Sequence, residues 1–160
     1  MAIQVGEKIP SGTFKVPDAD GIKDVTTEQL FGGKKVVLFS VPGAFTPTCS
    51  AKHLPGFVQN AAAIRAKGID AIVCLAVNDA FVMGAWGRDQ QVGDKVIMAA
   101  DGNGEWTRAL GLELDASRFG MGTRGQRFAM VVEDGVVRRM SVEAPGKFEV
   151  SSAEAILQAL

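Results

Sequence analysis

The sequence is poor in residues on which several common kinds of protein depend. Its 160 residues include two cysteines, one histidine and no tyrosine. A secreted scaffold held together by disulfides would carry more cysteines at close spacing, so a reducing compartment is expected, and the cytoplasm first of all. A metal centre built from Cys49, His53 and Cys74 would lack a clear fourth ligand, so we predict neither a metal nor another cofactor.

Strong charge and long apolar runs are also missing. The formal net charge is −1 and there is no basic run, which argues against nucleic acid or an anionic membrane as the main partner. No apolar stretch reaches the roughly 18 residues that span a bilayer, and the first residues do not read as a secretory signal. With 47% hydrophobic residues the chain can bury its own core, so we predict one domain over residues 1–160.

Strand-like and helix-like segments alternate along the chain. Short β-branched, apolar runs predict buried strands at residues 34–41, 69–77 and 95–99. Helical patterns predict helices at residues 49–67, 80–89 and 104–110 and from Ser151 or Ser152 to Leu160. The clearest hairpin joins residues 127–133 to 136–142 through Asp134-Gly135, because this dipeptide suits a two-residue type I′ turn.

This order of elements predicts an α/β fold. Continuous apolar runs fit strands that are buried on both faces, so we expect a central mixed, mostly parallel sheet flanked by helices. The late hairpin is expected to add antiparallel edge strands before a C-terminal helix. A sheet of this kind, with a reactive residue directly after one strand, is the thioredoxin-like layout.

The loop at residues 41–48 (VPGAFTPT) leads from a strand into the helix that begins with Cys49. Free backbone N–H groups and the positive end of the helix dipole favour a thiolate there. Thr46 can offer a hydroxyl to the same small volume, or simply cap a helix that begins at Pro47. Pro42 stiffens the loop and walls the pocket, or only ends the strand. The loop therefore predicts redox or nucleophilic chemistry, although a buried, inert Cys49 also fits.

The motif PGAFTPTC, residues 42–49, matches the Pro-x-x-x-Thr-x-x-Cys active-site motif of the peroxiredoxins. The longer segment VPGAFTPTCSAKHLPGF is similar to the type II subfamily of plants and bacteria, and to its animal relative, the atypical two-cysteine group. Three later blocks look like the same subfamily: VNDAFVMGAWGR, RFAMVVEDGVV and FEVSSAEAILQAL. The resemblance implies a thioredoxin fold, thiol peroxidase activity and commonly a homodimer. Phe81 and Trp86 are expected in the core or at a dimer contact.

The same resemblance implies the roles of individual residues. Cys49 corresponds to the peroxidatic cysteine, Thr46 and Pro42 to its motif partners, and Arg127 to the active-site arginine. Peroxide reduction needs a thiolate and fixed donors aimed at the peroxide oxygens, which a hydroxyl, backbone N–H groups and a guanidinium can supply. Spacing alone leaves other arginines as competitors of Arg127, namely Arg65, Arg88, Arg118 and Arg124.

His53 and Cys74 each have two possible roles. His53 could pair with the Cys49 thiolate, but a packing or hydrogen-bonding role is favoured because a Cys-His nucleophile also needs an orienting group. Cys74 lies in an unbroken apolar run and is expected in the core. Its alternative role is a resolving cysteine that forms a disulfide with Cys49, which requires Cα atoms within about 7 Å or local unfolding. The animal relatives carry their resolving cysteine near the C-terminus, where this chain has none.

We therefore predict a peroxidase that reduces hydrogen peroxide and small alkyl hydroperoxides through a sulfenic acid at Cys49. Glutathione with glutaredoxin is the first expected reductant, and thioredoxin the second. Two other functions are weighed against it. A thiol-disulfide oxidoreductase needs Cys-x-x-Cys, and Thr46 stands where its first cysteine would be. A non-enzymatic thioredoxin-like binding protein or holdase would not need an activated Cys49.

Overall fold

The computed structural model describes all of residues 1–160. Its nine strands, in chain order, are β1 (Thr13–Asp18), β2 (Gly21–Thr26), β3 (Lys35–Ser40), β4 (Ala71–Ala76), β5 (Ile97–Ala100), β6 (Glu113–Asp115), β7 (Thr123–Gly125), β8 (Phe128–Glu133) and β9 (Val136–Val142). Seven of them form one sheet in the order β2-β1-β5-β4-β3-β8-β9, so β2 and β9 are its outermost strands. The short strands β6 and β7 form a separate pair.

Five α-helices accompany the strands. They are α1 (Thr27–Phe31), α2 (Leu54–Ala66), α3 (Ala80–Asp89), α4 (Glu105–Leu110) and α5 (Ala153–Ala159). A π-helical segment at Cys49–His53 runs directly into α2, so the two form the one continuous helix that the sequence predicted. Ser152, and not Ser151, caps α5. None of the helices combines the length and the apolar character needed to cross a bilayer.

The predicted α/β fold with a mixed central sheet is confirmed, but the sheet has fewer parallel pairs than expected. Only β3–β4 and β4–β5 are parallel, while the other four pairs are antiparallel. The first hairpin, β1–β2, escaped prediction because Pro17 interrupts its pattern and most of its residues are exposed. This hairpin and the late hairpin β8–β9 each supply one of the four antiparallel pairs.

The late hairpin turns at Asp134 and Gly135, whose φ angles of 48° and 79° fit the predicted type I′ turn. Of the two strands in this hairpin, only β9 is an edge strand, because β8 lies inside the sheet between β3 and β9. Its residues from Phe128 to Val132 are buried, and it pairs with β3 from Lys35↔Glu133 to Ser40↔Phe128. The start of β8 therefore lies beside the end of β3.

The sheet separates two apolar layers. Helices α2, α3 and α5 cover one face, with Phe57, Trp86 and Ile156 in that layer, and α1 and α4 cover the other with Leu30 and Trp106. The sequence predicted Trp86 and Phe81 either in the core or at a dimer contact. Trp86 is fully buried, whereas Phe81 is 77% exposed.

Candidate active site

The loop after β3 is held in one shape by short hydrogen bonds. The backbone N–H of Ala44 donates to Asn78 Oδ1 at 2.9 Å, and Thr46 Oγ1 donates to the Gly43 carbonyl at 2.7 Å. Phe45 adopts a left-handed φ of 63°, which costs a non-glycine residue about 1–3 kcal/mol and is tolerated only where neighbouring contacts fix the chain. The loop is therefore preorganised before any substrate arrives.

The helix that follows begins at Pro47. Its first backbone hydrogen bond runs from Ser50 N–H to the Thr46 carbonyl at 2.9 Å, while the Thr46 hydroxyl donates to Gly43 and does not cap the helix. The backbone N–H of Cys49 donates to no acceptor within the chain. An unpaired N–H at a helix start is a donor available to a bound oxygen.

Cys49 and Arg127 meet although they are 78 residues apart in the chain. Because β8 runs antiparallel to β3, the residue before Phe128 comes next to the loop after Ser40. The Cys49 side chain is fully buried, and Arg127 Nη2 donates to its Sγ at 3.1 Å. Arg127 therefore places a positive charge and a hydrogen-bond donor directly beside the Cys49 sulfur.

Of the competing arginines, only Arg124 reaches the edge of this site by a hydrogen bond. Its Nη1 donates to the Pro42 carbonyl at 3.4 Å, and its Nε to the Met121 carbonyl at 2.9 Å. A Cβ at Gly43 would lie 2.9 Å from Arg124 Nη1, so a side chain at residue 43 would require the Arg124 guanidinium to shift. Arg65 instead donates to the Asp94 carbonyl at 2.8 Å, away from the loop.

His53 has both ring nitrogens occupied. Nε2 lies 2.9 Å from the Ser151 carbonyl, which can only accept, and Nδ1 lies 2.7 Å from Arg127 Nη1, which can only donate. His53 is therefore the tautomer protonated at Nε2. Burial first, and then the Arg127 charge, lower the pKa of His53 to about 3. The hydrogen-bonding role predicted for His53 is confirmed, and the Cys-His pair is excluded because neither nitrogen is free to take the Cys49 proton.

Behind His53 lies a second set of contacts that the sequence did not reveal. The Glu143 carboxylate accepts hydrogen bonds from the backbone of the loop at residues 149–151, and from Ser151 Oγ at 2.6 Å. Phe148, in the same loop, packs on the His53 ring at 4.9 Å between centroids and lies 5.7 Å from the Arg127 guanidinium. In the sequence Glu143 looks like a surface carboxylate after a strand, so no local signal points to it.

Cys74 lies in the middle of the parallel part of the sheet. Its side chain is fully buried in the same apolar layer as Cys49, and both cysteines are free. Burial first, and then the neighbouring Cys49, raise the pKa of Cys74 well above its ordinary value. Cys74 is therefore a thiol at neutral pH and a weak nucleophile.

The Cys49 sulfur lies outside the larger cavities of the molecule. Two cavities of about 620 and 540 Å³ are lined mainly by residues from β1, α3, β5 and α4, and neither includes Cys49, Thr46 or Arg127. No group of three or more His, Cys, Asp or Glu side chains could hold a metal ion. The fully buried Cys49 side chain therefore lies apart from both of these cavities.

The depressed pKa of His53 predicts a loss of stability in weak acid. The unfolded chain protonates His53 near pH 6.5, whereas the folded chain keeps it neutral down to about pH 3. The contribution of neutral His53 to the free energy of unfolding is therefore complete above pH 6.5 and is lost as the pH falls toward 3. Over this range the free energy of unfolding changes with a limiting slope of about 1.4 kcal/mol per pH unit. Urea unfolding of wild type and His53→Gln between about pH 7 and pH 5 will show a shallower slope for the variant, and equal slopes would contradict this assignment.

The chain is similar to known proteins over almost its whole length. The Redoxin family matches residues 4–157. The chain is 50% identical to the chloroplastic Peroxiredoxin-2E of Arabidopsis thaliana, over 99% of this chain and 70% of that protein. It is 49% identical to Peroxiredoxin-2B of the same plant, over 99% and 98% of the two chains. The reduced Prx3 of Vibrio vulnificus in complex with hydrogen peroxide superimposes with a TM-score of 0.94, at 50% identity and 98% coverage of both chains. The chain therefore belongs to the Redoxin family and, within it, to the type II peroxiredoxins.

Proposed function

We propose that Cys49 is the peroxidatic cysteine of this thiol peroxidase and that it reduces hydrogen peroxide and small alkyl hydroperoxides. The observation that carries the proposal is the Arg127 guanidinium, 3.1 Å from a fully buried Sγ. Thr46 and Pro42 complete the site, since they belong to the loop whose hydrogen bonds shape the space in front of Cys49. A related structure, Prx3 of Vibrio vulnificus, was solved with hydrogen peroxide.

In the oxidative step, the Cys49 thiolate attacks one peroxide oxygen. The S–O bond forms as the O–O bond breaks, so the sulfur is oxidised by two electrons to a sulfenic acid and the second oxygen leaves as hydroxide or alkoxide, which then takes a proton. Negative charge grows on the leaving oxygen. Arg127 and the unpaired Cys49 N–H are donors that can hold the peroxide and stabilise that charge.

In the reductive step, we propose that a thiol from outside the chain restores Cys49. Glutathione attacks the sulfenic acid, water leaves, and a second thiol, supplied by glutaredoxin, releases Cys49 from the mixed disulfide. Thioredoxin is the second candidate. Cys74 is a poor resolving residue because its raised pKa keeps it protonated and because β4 is paired on both sides.

We further propose that the chain works as one domain over residues 1–160 and forms a homodimer. Phe45 in the loop before Cys49, Phe81 in α3 and Phe119 are 52%, 77% and 69% exposed, and such aromatic residues are enriched at protein interfaces. Sedimentation velocity tests the dimer, which a purely monomeric boundary would contradict. A reducing compartment, with the cytoplasm first, fits the outside thiol, although one relative is chloroplastic.

Replacement of Cys74 by alanine tests the one-cysteine cycle. Alanine leaves no unpaired hydroxyl in the apolar layer around Cys74, so the fold should survive. We expect pre-reduced Cys74→Ala to react with hydrogen peroxide at the wild-type rate. Its intact mass should rise by one oxygen after one equivalent of peroxide, and by one glutathione when that thiol is present.

Turnover with glutathione and glutaredoxin, and separately with thioredoxin, should also match the wild type. Loss of turnover with every reductant, in a Cys74→Ala protein whose circular dichroism is unchanged, would instead make Cys74 the resolving cysteine. A wild-type reaction no faster than that of a free thiol would favour the binding-protein alternative.

A further inference from the structure

Glu143 is a buried carboxylate that does not touch Cys49. It follows β9, and only 7% of its surface is exposed. Its two oxygens accept hydrogen bonds from the backbone N–H groups of Glu149 (2.9 Å), Val150 (2.9 Å) and Ser151 (2.8 Å) and from Ser151 Oγ (2.6 Å). A buried charge is tolerated only when it is satisfied in this way. The carboxylate therefore fixes the backbone of the loop at residues 149–151.

The hydrogen bonds around Glu143 form a closed ring through Arg127. The backbone N–H of Glu143 donates to the Arg127 carbonyl at 3.0 Å. Its carboxylate holds Ser151, the Ser151 carbonyl accepts from His53 Nε2–H, and His53 Nδ1 accepts from Arg127 Nη1. The ring thus leaves Arg127 from its main chain and returns to its guanidinium.

Each link in the ring limits the next. Arg127 has a long, flexible side chain that needs a partner to hold it in one orientation. His53 Nδ1 accepts from Arg127 Nη1, and Nη2 of the same guanidinium then donates to Cys49 Sγ. His53 can accept at Nδ1 only while Nε2 carries the proton, and the Ser151 carbonyl selects that tautomer. Ser151 points its carbonyl at His53 because Glu143 binds both its N–H and its hydroxyl.

We infer that Glu143 is a positioning residue for the reaction at Cys49. By holding Ser151, it fixes the tautomer of His53 and so directs the Arg127 guanidinium at the sulfur. It also places Phe148 of the same loop against His53. The inference rests on the proposed roles of Cys49 and Arg127, and one of its two tests does not depend on activity.

The first test reads the His53 tautomer in the Glu143→Gln protein. Glutamine keeps the shape of glutamate but turns an NH₂ group toward donors that need an acceptor. Since His53 is the only histidine, the ¹⁵N resonances of the imidazole ring report on this residue alone. The wild type should show a protonated Nε2 and an unprotonated Nδ1, whereas Glu143→Gln should show an exchanging mixture of both tautomers.

The second test measures the rate at which pre-reduced protein consumes hydrogen peroxide. A small misplacement of a catalytic group can slow a reaction up to about 100-fold, so we expect Glu143→Gln to react about 10- to 100-fold more slowly. Glu149→Gln is the matched control, because it makes the same charge change in the same loop at an exposed side chain. It should keep the wild-type rate and tautomer. Ser151→Ala, which removes the shortest bond to the carboxylate, should change both readouts in the same direction but less.

A folded Glu143→Gln protein with the wild-type tautomer and rate would overturn the inference. If this variant does not fold, Ser151→Ala decides, and wild-type values for it would overturn the inference equally. A wild type that does not react with peroxide would refute the proposed function instead, and the tautomer measurement would still test the ring.

Discussion

Replacing Cys49 with serine will reduce peroxide consumption to that of buffer alone. A serine hydroxyl is not ionised at neutral pH and cannot take an oxygen atom from peroxide, so neither the attack nor the sulfenic acid is possible. Serine is close to cysteine in shape, and Arg127 Nη2, now 3.1 Å from Sγ, can donate to its hydroxyl instead. The fold and the surrounding hydrogen bonds should therefore remain while the chemistry is lost.

Rapid mixing of pre-reduced protein with hydrogen peroxide measures this effect, with intact mass taken after one equivalent. The Cys49→Ser protein should gain no oxygen, and its urea unfolding should stay close to that of the wild type. Cys74→Ala serves as the partner variant, since the two cysteines are the only ones in the chain. Residual peroxide reduction by Cys49→Ser would place the reactive group elsewhere and would refute the proposed role of Cys49.

Replacing Arg127 with glutamine will slow the reaction with hydrogen peroxide by about 10²- to 10³-fold, the usual cost of removing one preorganised donor from a developing negative charge. Two effects combine in this loss. The positive charge beside the Cys49 sulfur disappears, and the proposed donor to the peroxide disappears with it. His53 Nδ1 also loses its partner. Rapid mixing of pre-reduced protein with hydrogen peroxide measures the loss of rate, and circular dichroism checks that the fold is kept.

Two further variants show which property of Arg127 matters. Arg127→Lys keeps the charge but cannot contact His53 and Cys49 with a rigid, planar guanidinium, so it should react faster than Arg127→Gln while recovering only part of the wild-type rate. Arg108→Gln makes the same charge change at an exposed residue that bonds to Asn103 and should behave like the wild type. Equal rates for Arg127→Gln and Arg108→Gln would show that Arg127 does not assist the reaction.

Local patterns predicted the elements but not their arrangement. The apolar runs of β3, β4 and β5 and the Asp134-Gly135 turn could be read directly, because burial and turn chemistry depend on neighbouring residues. The position of β8 between β3 and β9 depends on pairing with residues of β3 that lie about ninety positions away in the chain, which no local pattern encodes. The hairpin β1–β2 was missed because its half-exposed strands lack a clear alternation.

The same distinction holds for the site. Cys49, Thr46 and Pro42 lie in one short motif, so the resemblance could point to all three at once. Arg127 needed the resemblance, because spacing could not separate it from other arginines. His53, Glu143 and Ser151 form a hydrogen-bond network only after folding. The bond between His53 and Ser151, for example, joins residues that are 98 positions apart in the chain. Their importance comes from the geometry of neighbours, and residue type alone does not reveal it.

The outermost strands of the sheet bear on how copies of the chain can associate. An unpaired strand edge invites another edge to extend the sheet, and charged side chains discourage this. Both edges here carry exposed charges, Lys23 and Asp24 on β2 and Arg138 and Arg139 on β9. Edge-to-edge polymerisation is therefore disfavoured at either end of the sheet, which leaves the loop and helix surfaces, including the exposed Phe45 in the loop before Cys49, for contact between copies. The proposed homodimer would then form close to the proposed active site, without using the ends of the sheet.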